Sequence, residues 1–364
     1  MKTTYLLLCL LGIGSVSGAG QTKQPQKIGD FIESTSYNEH RRNATRSLQY
    51  TPDGDDFVCI NGKNRFTRAL YGSHTAFRLE TSDRPVFAAY TKENPKHICF
   101  KLQTSGGTVA LDSTEHCESR YTAGRRSYSL SDPAFGGGSL SITTWALPDK
   151  EGAIWQFNAR NFKEFHPVLL ASISEIRNSK LNRNGDMGAD PADSFEAPLQ
   201  PQQLQSFPVQ IDGTLYMLLE NQELRTLTTA EGENLFKKAE AARSETASRI
   251  RIETPDPYFN TLGGTLAMAA DGIWDGEVWL HGAIGWRMPL SGWRAAYTGD
   301  VLGWHDRART HFNAYAASQV TEVPNTLPHP AQDSALHLAR SVKKWGTPQY
   351  SNGYICRNPH RNNQ

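Results

Sequence analysis

The sequence predicts a multidomain β + α protein, a β-sandwich followed by helices. Three observations carry this. Short runs rich in β-branched and aromatic residues recur from Asp56 to Glu253, with Gly- and Asn-rich turns between them, the pattern of an antiparallel sandwich. The character changes at Thr254, where Asp256-Pro257 reads as an N-cap and first helical position. At 364 residues the chain is also too long for one ordinary core.

The chain opens with an export signal over 1–19. Lys2 precedes a short apolar run from Tyr5 to Ile13, and small residues follow through Ala19. That run is too short to span a bilayer, and no later stretch reads as a transmembrane segment. The protein is therefore expected to be exported: periplasmic, at the cell surface or secreted. Residues 20–50 are polar and aperiodic and read as a linker or a loosely held start. The β-sandwich domain is assigned to 51–253. Phe57-Val58-Cys59-Ile60 is followed by Asn61-Gly62, a strong hairpin signal. Further strands are read at 76–80, 86–90, 97–102, 108–111, 139–146, 153–158, 167–173 and 215–220. Residues 178–208 read as a long loop, and 231–245 as an exposed connecting helix. In the helical domain, 254–364, Tyr258, Leu262, Leu266, Ala269 and Ile273 recur at near-helical spacing. Gly263-Gly264 weakens that helix but lets a neighbour approach closely. Further helices are read from Asp300, as N-cap, and over 332–345.

Several functions are disfavoured. A net charge of +1 and no Lys/Arg stripe give no field for nucleic acid or an acidic membrane. G-x-x-x-x-G-K-[ST], G-x-S-x-G and H-E-x-x-H are absent. No cofactor pattern is present. Asn182, Asn184, Asp186 and Asp190 fit an Asx-rich turn better than a calcium loop, and no metal site is assigned. With the signal removed, Cys59, Cys99, Cys117 and Cys356 remain. They allow three disulfide pairings, among them Cys99 with Cys117, or buried free thiols.

The chemistry concentrates between Trp274 and His311. Six of the eight tryptophans lie from Trp274 to Trp345, five of them by Trp304. Indole faces stack on the C–H faces of sugar rings, while Arg, His and carboxylates satisfy hydroxyls. Trp286, Arg287, Trp293, Arg294, Trp304 and His305 are the candidate substrate contacts, with Asp306 beside them. The alternative is that these tryptophans pack an interdomain joint. A glycosidase needs two carboxyl groups about the scissile bond. Asp300, Asp306 and Glu277 are the catalytic candidates, and their spacing identifies no pair. His305 and Asp306 point about 100° apart on a helix, so both need not face one cleft.

A resemblance covers about residues 50 to 360. Asn61-Gly62-x-x-Arg65-Phe66-x-Arg68-Ala69-Leu70-Tyr71-Gly72 resembles the opening block of a family of exported bacterial polysaccharide-utilisation proteins catalogued as a domain of unknown function. Pro257-Tyr258-Phe259-Asn260 through Asp271-Gly272-Ile273-Trp274 is similar to its second block, and Trp286-Arg287-Met288-Pro289-Leu290, Gly303-Trp304-His305-Asp306-Arg307 and Gly353-Tyr354-Ile355-Cys356 continue it. Such proteins are similar to six-hairpin glycosidases. The resemblance implies an N-terminal β-sandwich followed by the opening helices of an (α/α)6 toroid. It implies a glycoside hydrolase acting on a complex polysaccharide, with rhamnose-containing ones among the candidates. Too few helices precede Gln364 to close such a ring, so the sequence is expected to be an N-terminal fragment, inactive by itself. The resemblance carries no catalytic acid or base onto this chain. A noncatalytic carbohydrate-binding module and a structural surface-assembly protein are the other readings. The expected partner is a polysaccharide or oligosaccharide, and no oligomeric state is implied.

Overall fold

The computed structural model describes residues 50–63, 68–71, 77–90, 96–162, 167–175, 205–208, 213–280 and 296–317. Signal, linker, Asx-rich loop, Cys356 and the helix read over 332–345 lie outside these residues. In chain order the strands are β1 (Thr51–Asp53), β2 (Asp56–Ile60), β3 (Arg68–Tyr71), β4 (Arg78–Thr81), β5 (Val86–Tyr90), β6 (Lys96–Thr104), β7 (Gly107–Ala110) and β8 (His116–Thr122). Then come β9 (Arg125–Ser131), β10 (Ser139–Ala146), β11 (Gly152–Arg160), β12 (Val168–Glu175), β13 (Gln205–Pro208), β14 (Thr214–Glu220) and β15 (Glu223–Leu227). The helices are α1 (Thr229–Ala247), α2 (Pro257–Asn260), α3 (Leu262–Gly272), α4 over residues 296–301, and α5 (His305–Ala317).

Two antiparallel sheets result. The larger runs β1-β2-β8-β9-β10-β11-β14-β15, and the smaller runs β13-β12-β6-β5-β4-β3, with β7 also on β6. Their facing sides share one core. Phe87 and Phe100 of the smaller sheet meet Trp155 and Phe157 of the larger edge to face, at ring separations of 5.6 Å for Phe87–Trp155 and 5.1 Å for Phe100–Phe157. Such pairs add about 0.5–1.5 kcal/mol each beyond the area they bury. Among the described residues the chain is thus mostly β, with a few helices after the last strand, and these sheets and helices belong to one compact unit.

Two expectations change, and one of the open cysteine alternatives is excluded. Asn61-Gly62 does not form a hairpin. Asn61 adopts a left-handed φ of 50° and ends β2, whose partners are β1 and β8, while β3 lies in the other sheet. The Asn61 N–H donates to the Cys117 carbonyl at 2.8 Å, and its Oδ1 accepts from the Cys117 N–H at 2.8 Å. The Asx side chain thus caps a strand end instead of turning the chain. Residues 205–208, inside the expected loop, pair as β13 with β12. Cys99 stands on the outward side of β6 while Cys117 faces the inter-sheet core, so these two do not pair; among the described residues Cys59, Cys99 and Cys117 form no disulfide.

The interior also holds charge. Arg126 on β9 is fully buried and donates through Nη2 to the Ser82 carbonyl at 3.0 Å and to Ser119 Oγ at 3.2 Å, with Asp83 Oδ1 at 3.6 Å. Tyr128 donates to the same Ser82 carbonyl at 2.8 Å. On the outward side of the smaller sheet, Glu80, Ala88, His97 and Ser174 occupy successive paired positions, and all are buried. Burial pushes the Glu80 carboxyl up to about 7, against the opposing pull of Arg78, whose Nε lies 2.6 Å away.

Two predictions follow from this packing. A Cβ on Gly232 of α1 would come within 2.2 Å of the Tyr216 ring. Gly232→Ala is expected to lower stability by about 1–3 kcal/mol in urea unfolding, although alanine is the better helix former by about 1 kcal/mol. An unchanged midpoint would contradict the packing. Glu80 ionises from about 4.5 in the unfolded chain but only near 7 in the fold. Through that window the unfolded state binds fewer protons, so stability falls as pH rises, by about 3 kcal/mol over the whole span. Glu80→Gln is expected to flatten that slope and to exceed the parent in stability at about pH 8; equal slopes for parent and variant would exclude it.

Candidate functional site at the junction of sheet and helices

The site begins with α1. Thr228 and Glu231 form a capping box: the Thr228 hydroxyl accepts from the Glu231 N–H, and the Glu231 carboxylate accepts from the Thr228 N–H. The helix then lies against the outer face of the larger sheet, where Phe236 meets Trp145 at 3.9 Å and Tyr216 at 5.9 Å between ring centres. It is therefore packed along one face, while most of its residues stay exposed as its charges suggest. Glu240 fixes its position. Its carboxylate accepts the Trp145 indole N–H at 2.9 Å and two N–H groups of Arg243, at 2.8 and 2.6 Å. Arg243 Nη1 continues to the Ala123 carbonyl at 2.9 Å, in the turn between β8 and β9. Burial raises the Glu240 carboxyl, but the Arg243 hydrogen bonds and charge, Arg125 and the Trp145 donor outweigh it, and the group sits below the usual carboxylate range.

Helix α3 docks on this base. Asp256 caps the short α2 by accepting from the Tyr258 N–H at 2.9 Å, with Pro257 in the first turn, as the sequence predicts. Gly263 and Gly264 give the expected close approach: a Cβ on Gly264 would lie 3.0 Å from that of Ala123, and one on Gly263 would lie 2.8 Å from the Ile250 carbonyl. The buried face differs from the expected one, since Leu266 is half exposed while Ala267 and Met268 are buried. Beyond α3 the chain folds back through a bridge between Trp274 and Trp279. Asp275 holds this turn by accepting from the N–H groups of Glu277 and Val278, at 3.0 and 2.8 Å. Trp279 donates its indole N–H to the Ala270 carbonyl at 3.1 Å and its backbone N–H to His311 Nδ1 at 3.0 Å. Trp274, Trp279 and Trp304 form one buried cluster with Ala296 and Ala308.

Between α1, α3, α5 and the end of β10 lies a cleft of about 230 Å³. Trp145 gives it one wall, Arg243, Glu245 and Arg249 of α1 another, and Asp271, Trp304 and Arg307 the third. Arg307 Nη1 donates to Asp271 at 2.6 Å, and its guanidinium lies over the rings of Trp304 and Trp274 at 4.8 and 5.6 Å. Arg249 lies over Trp304 at 5.0 Å.

The structure thus divides the sequence candidates. Trp304 borders the cleft, although only 8% of it is exposed. Asp300, Asp306, Glu277 and His305 do not line it. Helix α5 begins at His305, not at Asp300, which instead sits on α4. Asp300 and His305 form an exposed pair at 2.6 Å, and Asp306 approaches Arg309 at 3.3 Å on the solvent side. Trp286, Arg287, Trp293 and Arg294 lie outside the described residues. Arg243 and Arg249 carry no functional signal in the sequence, because their spacing from Glu240 and Glu245 is that of ordinary charge pairs on an exposed helix. Among the described residues no group of three or more His, Cys, Asp or Glu side chains is arranged to hold a metal, and no helix is long and apolar enough to cross a membrane.

Residues 95–250 match a domain of unknown function, DUF4450. No curated protein matches the chain. The DUF4450 stretch runs from the approach to β6 through α1 and carries Trp145, Glu240, Arg243 and Arg249. It stops before Asp271, Trp304 and Arg307. The cleft is therefore walled partly by the stretch that matches DUF4450 and partly by Tyr71 before it and the helices after it.

Glu240→Gln tests the base of this wall. The depressed carboxyl stabilises the fold above the unfolded value of about 4.5 and loses that contribution as pH falls through its lower folded value. The variant is expected to be less stable by about 1–2 kcal/mol at neutral pH, a figure reduced for the partial exposure of the carboxylate. The deficit should vanish in acid; a deficit that persists at about pH 3 would mean the ionised carboxylate is not its source.

Proposed function

We propose that this chain is the N-terminal part of an exported glycoside hydrolase acting on a complex polysaccharide, rhamnose-containing ones among the candidates, in which a β-sandwich leads into the opening helices of an (α/α)6 toroid. The observation that carries this reading is the cleft at the sheet–helix junction. It gathers guanidinium donors, oriented on the Trp304 ring, and the Thr246 hydroxyl in a volume suited to one sugar ring. The order of two antiparallel sheets and then helices supports it, as does the composition of the N-terminus.

Within the described residues the cleft reads as a holding site. Its two carboxylates both face guanidiniums, Asp271 with Arg307 at 2.6 Å and Glu245 near Arg249 at 3.9 Å. A glycosidase needs two carboxyl groups placed about a scissile bond, and here each carboxylate is engaged by a guanidinium instead. The bond-breaking pair is therefore assigned outside the described residues. The same pairing favours the second reading, a noncatalytic carbohydrate-binding module.

The test is a panel of plant and host oligosaccharides, titrated calorimetrically against the full chain and assayed for released reducing ends. At least one glycan is expected to bind, and Arg307→Ala to weaken it by about tenfold or more with the secondary structure retained. Binding without release supports the noncatalytic module. Binding that Arg307→Ala leaves untouched would remove the cleft from the site, and no binding across the panel would leave the buried tryptophans as a structural joint.

A further inference from the structure

The geometry points to an anionic saccharide, one bearing a carboxylate or a sulfate ester, as the occupant of this cleft; the inference rests on the saccharide-binding reading and adds the charge of the ligand. Three guanidiniums border the cleft against two carboxylates. Arg243 is already satisfied, because Glu240 and the Ala123 carbonyl take its donors. Arg249 and Arg307 are different. Each is held by one hydrogen bond through Nη1, Arg249 to the Leu302 carbonyl at 2.9 Å and Arg307 to Asp271 at 2.6 Å. Each also lies over the Trp304 ring, at 5.0 and 4.8 Å. Among the described residues, Nε and Nη2 of both make no hydrogen bond, and the Glu245 carboxylate stays 3.9 Å from Arg249.

Two guanidiniums are thus oriented by one indole in a shared cleft, each with one counter-charge, Asp271 at 2.6 Å and Glu245 at 3.9 Å, and among the described residues their Nε and Nη2 make no hydrogen bond. Stacking and a single backbone or carboxylate anchor fix their planes before any ligand arrives, which limits the entropy lost on binding. The open Nε–Nη2 edge of a guanidinium is the fork that takes a carboxylate or sulfate through two parallel hydrogen bonds. The edges of Trp145, Ala242 and Met268 border the cleft beside these donors. A neutral sugar would use the same walls but place no anion against the two forks.

The experiment is calorimetric titration of the full chain with trigalacturonate, glucose 6-sulfate, neutral cellotriose, glucose and inorganic sulfate, at low and at physiological salt. A charged sugar is expected to bind about tenfold or more tightly than its neutral counterpart, with the advantage shrinking as salt rises. The uronate and sulfate arms identify which anion is preferred. Arg249→Gln is expected to weaken the charged sugars about tenfold more than the neutral ones, and Arg249→Lys, which keeps the charge but not the fork, to retain part of the preference. Equal binding of charged and neutral sugars, or a preference that survives in both variants, overturns the inference and leaves the saccharide reading standing. Binding of inorganic sulfate alone overturns the inference, and no binding by any probe removes both. Thermal melts of the variants separate loss of the fork from loss of the fold.

Discussion

The carboxylate of Glu240 is the constraint on which the rest of the arrangement depends. It accepts from an indole on the sheet and from a guanidinium on its own helix, so it fixes where α1 lies along the outer face of the larger sheet. Arg243 then reaches the Ala123 carbonyl, which ties the β8–β9 turn to the same helix. Ala123 and Ala247 form the surface against which Gly264 packs, and that contact sets the course of α3. Trp274, Trp279 and Trp304 follow from that course. A partly buried carboxylate tolerates such a position only with its oxygens satisfied, and here the groups that satisfy it belong to sheet and helix at once.

Charge is used differently inside the sandwich. Arg126 and Asp83 face each other at 3.6 Å with no exposure, and Glu80 and Arg78 pair on the opposite side of the smaller sheet. Buried pairs of this kind gain little net stability over apolar packing, but removing one partner is costly. They do constrain pairing. A one-residue slip of β9 would turn both Arg126 and Tyr128 out, and the Ser82 carbonyl and Ser119 hydroxyl would lose these partners.

The same polar interior explains what the sequence shows and hides. Strands β5 and β10 match the expected runs end to end, because their inward positions are apolar and their ends carry turn residues. Strands β8 and β9 are not legible. Their buried positions are Cys117, Ser119 and Tyr121, and Arg126, Tyr128 and Leu130, so alternation is present but hydrophobic alternation is not. Asn61-Gly62 has the chemistry of a tight turn, and only the pairing of β2 with β8 shows that the chain crosses between sheets there. At the site, local enrichment in tryptophan leads to Trp304. Arg243 and Arg249 are invisible by the same means, because intrahelical spacing explains them equally well without the sheet.

Trp304 was open to two readings, a platform for sugar or packing at a joint, and its surroundings show that these are not exclusive. The ring is 8% exposed and packs with Trp279 and Ala308, as a core residue does. Yet Arg249 and Arg307 both lie over it within about 5 Å, so its π-faces hold cations rather than pyranose rings. Burial makes the ring rigid, and a rigid ring fixes the guanidiniums more firmly than solvent-exposed side chains are fixed. His305 follows immediately in sequence but points to the other side of the helix start, where it meets Asp300 in solvent. One peptide bond therefore separates a residue that organises the cleft from one that faces away from it. The functional contribution of Trp304 is accordingly indirect: it orients the donors that would meet a ligand, and its own contacts remain those of the core.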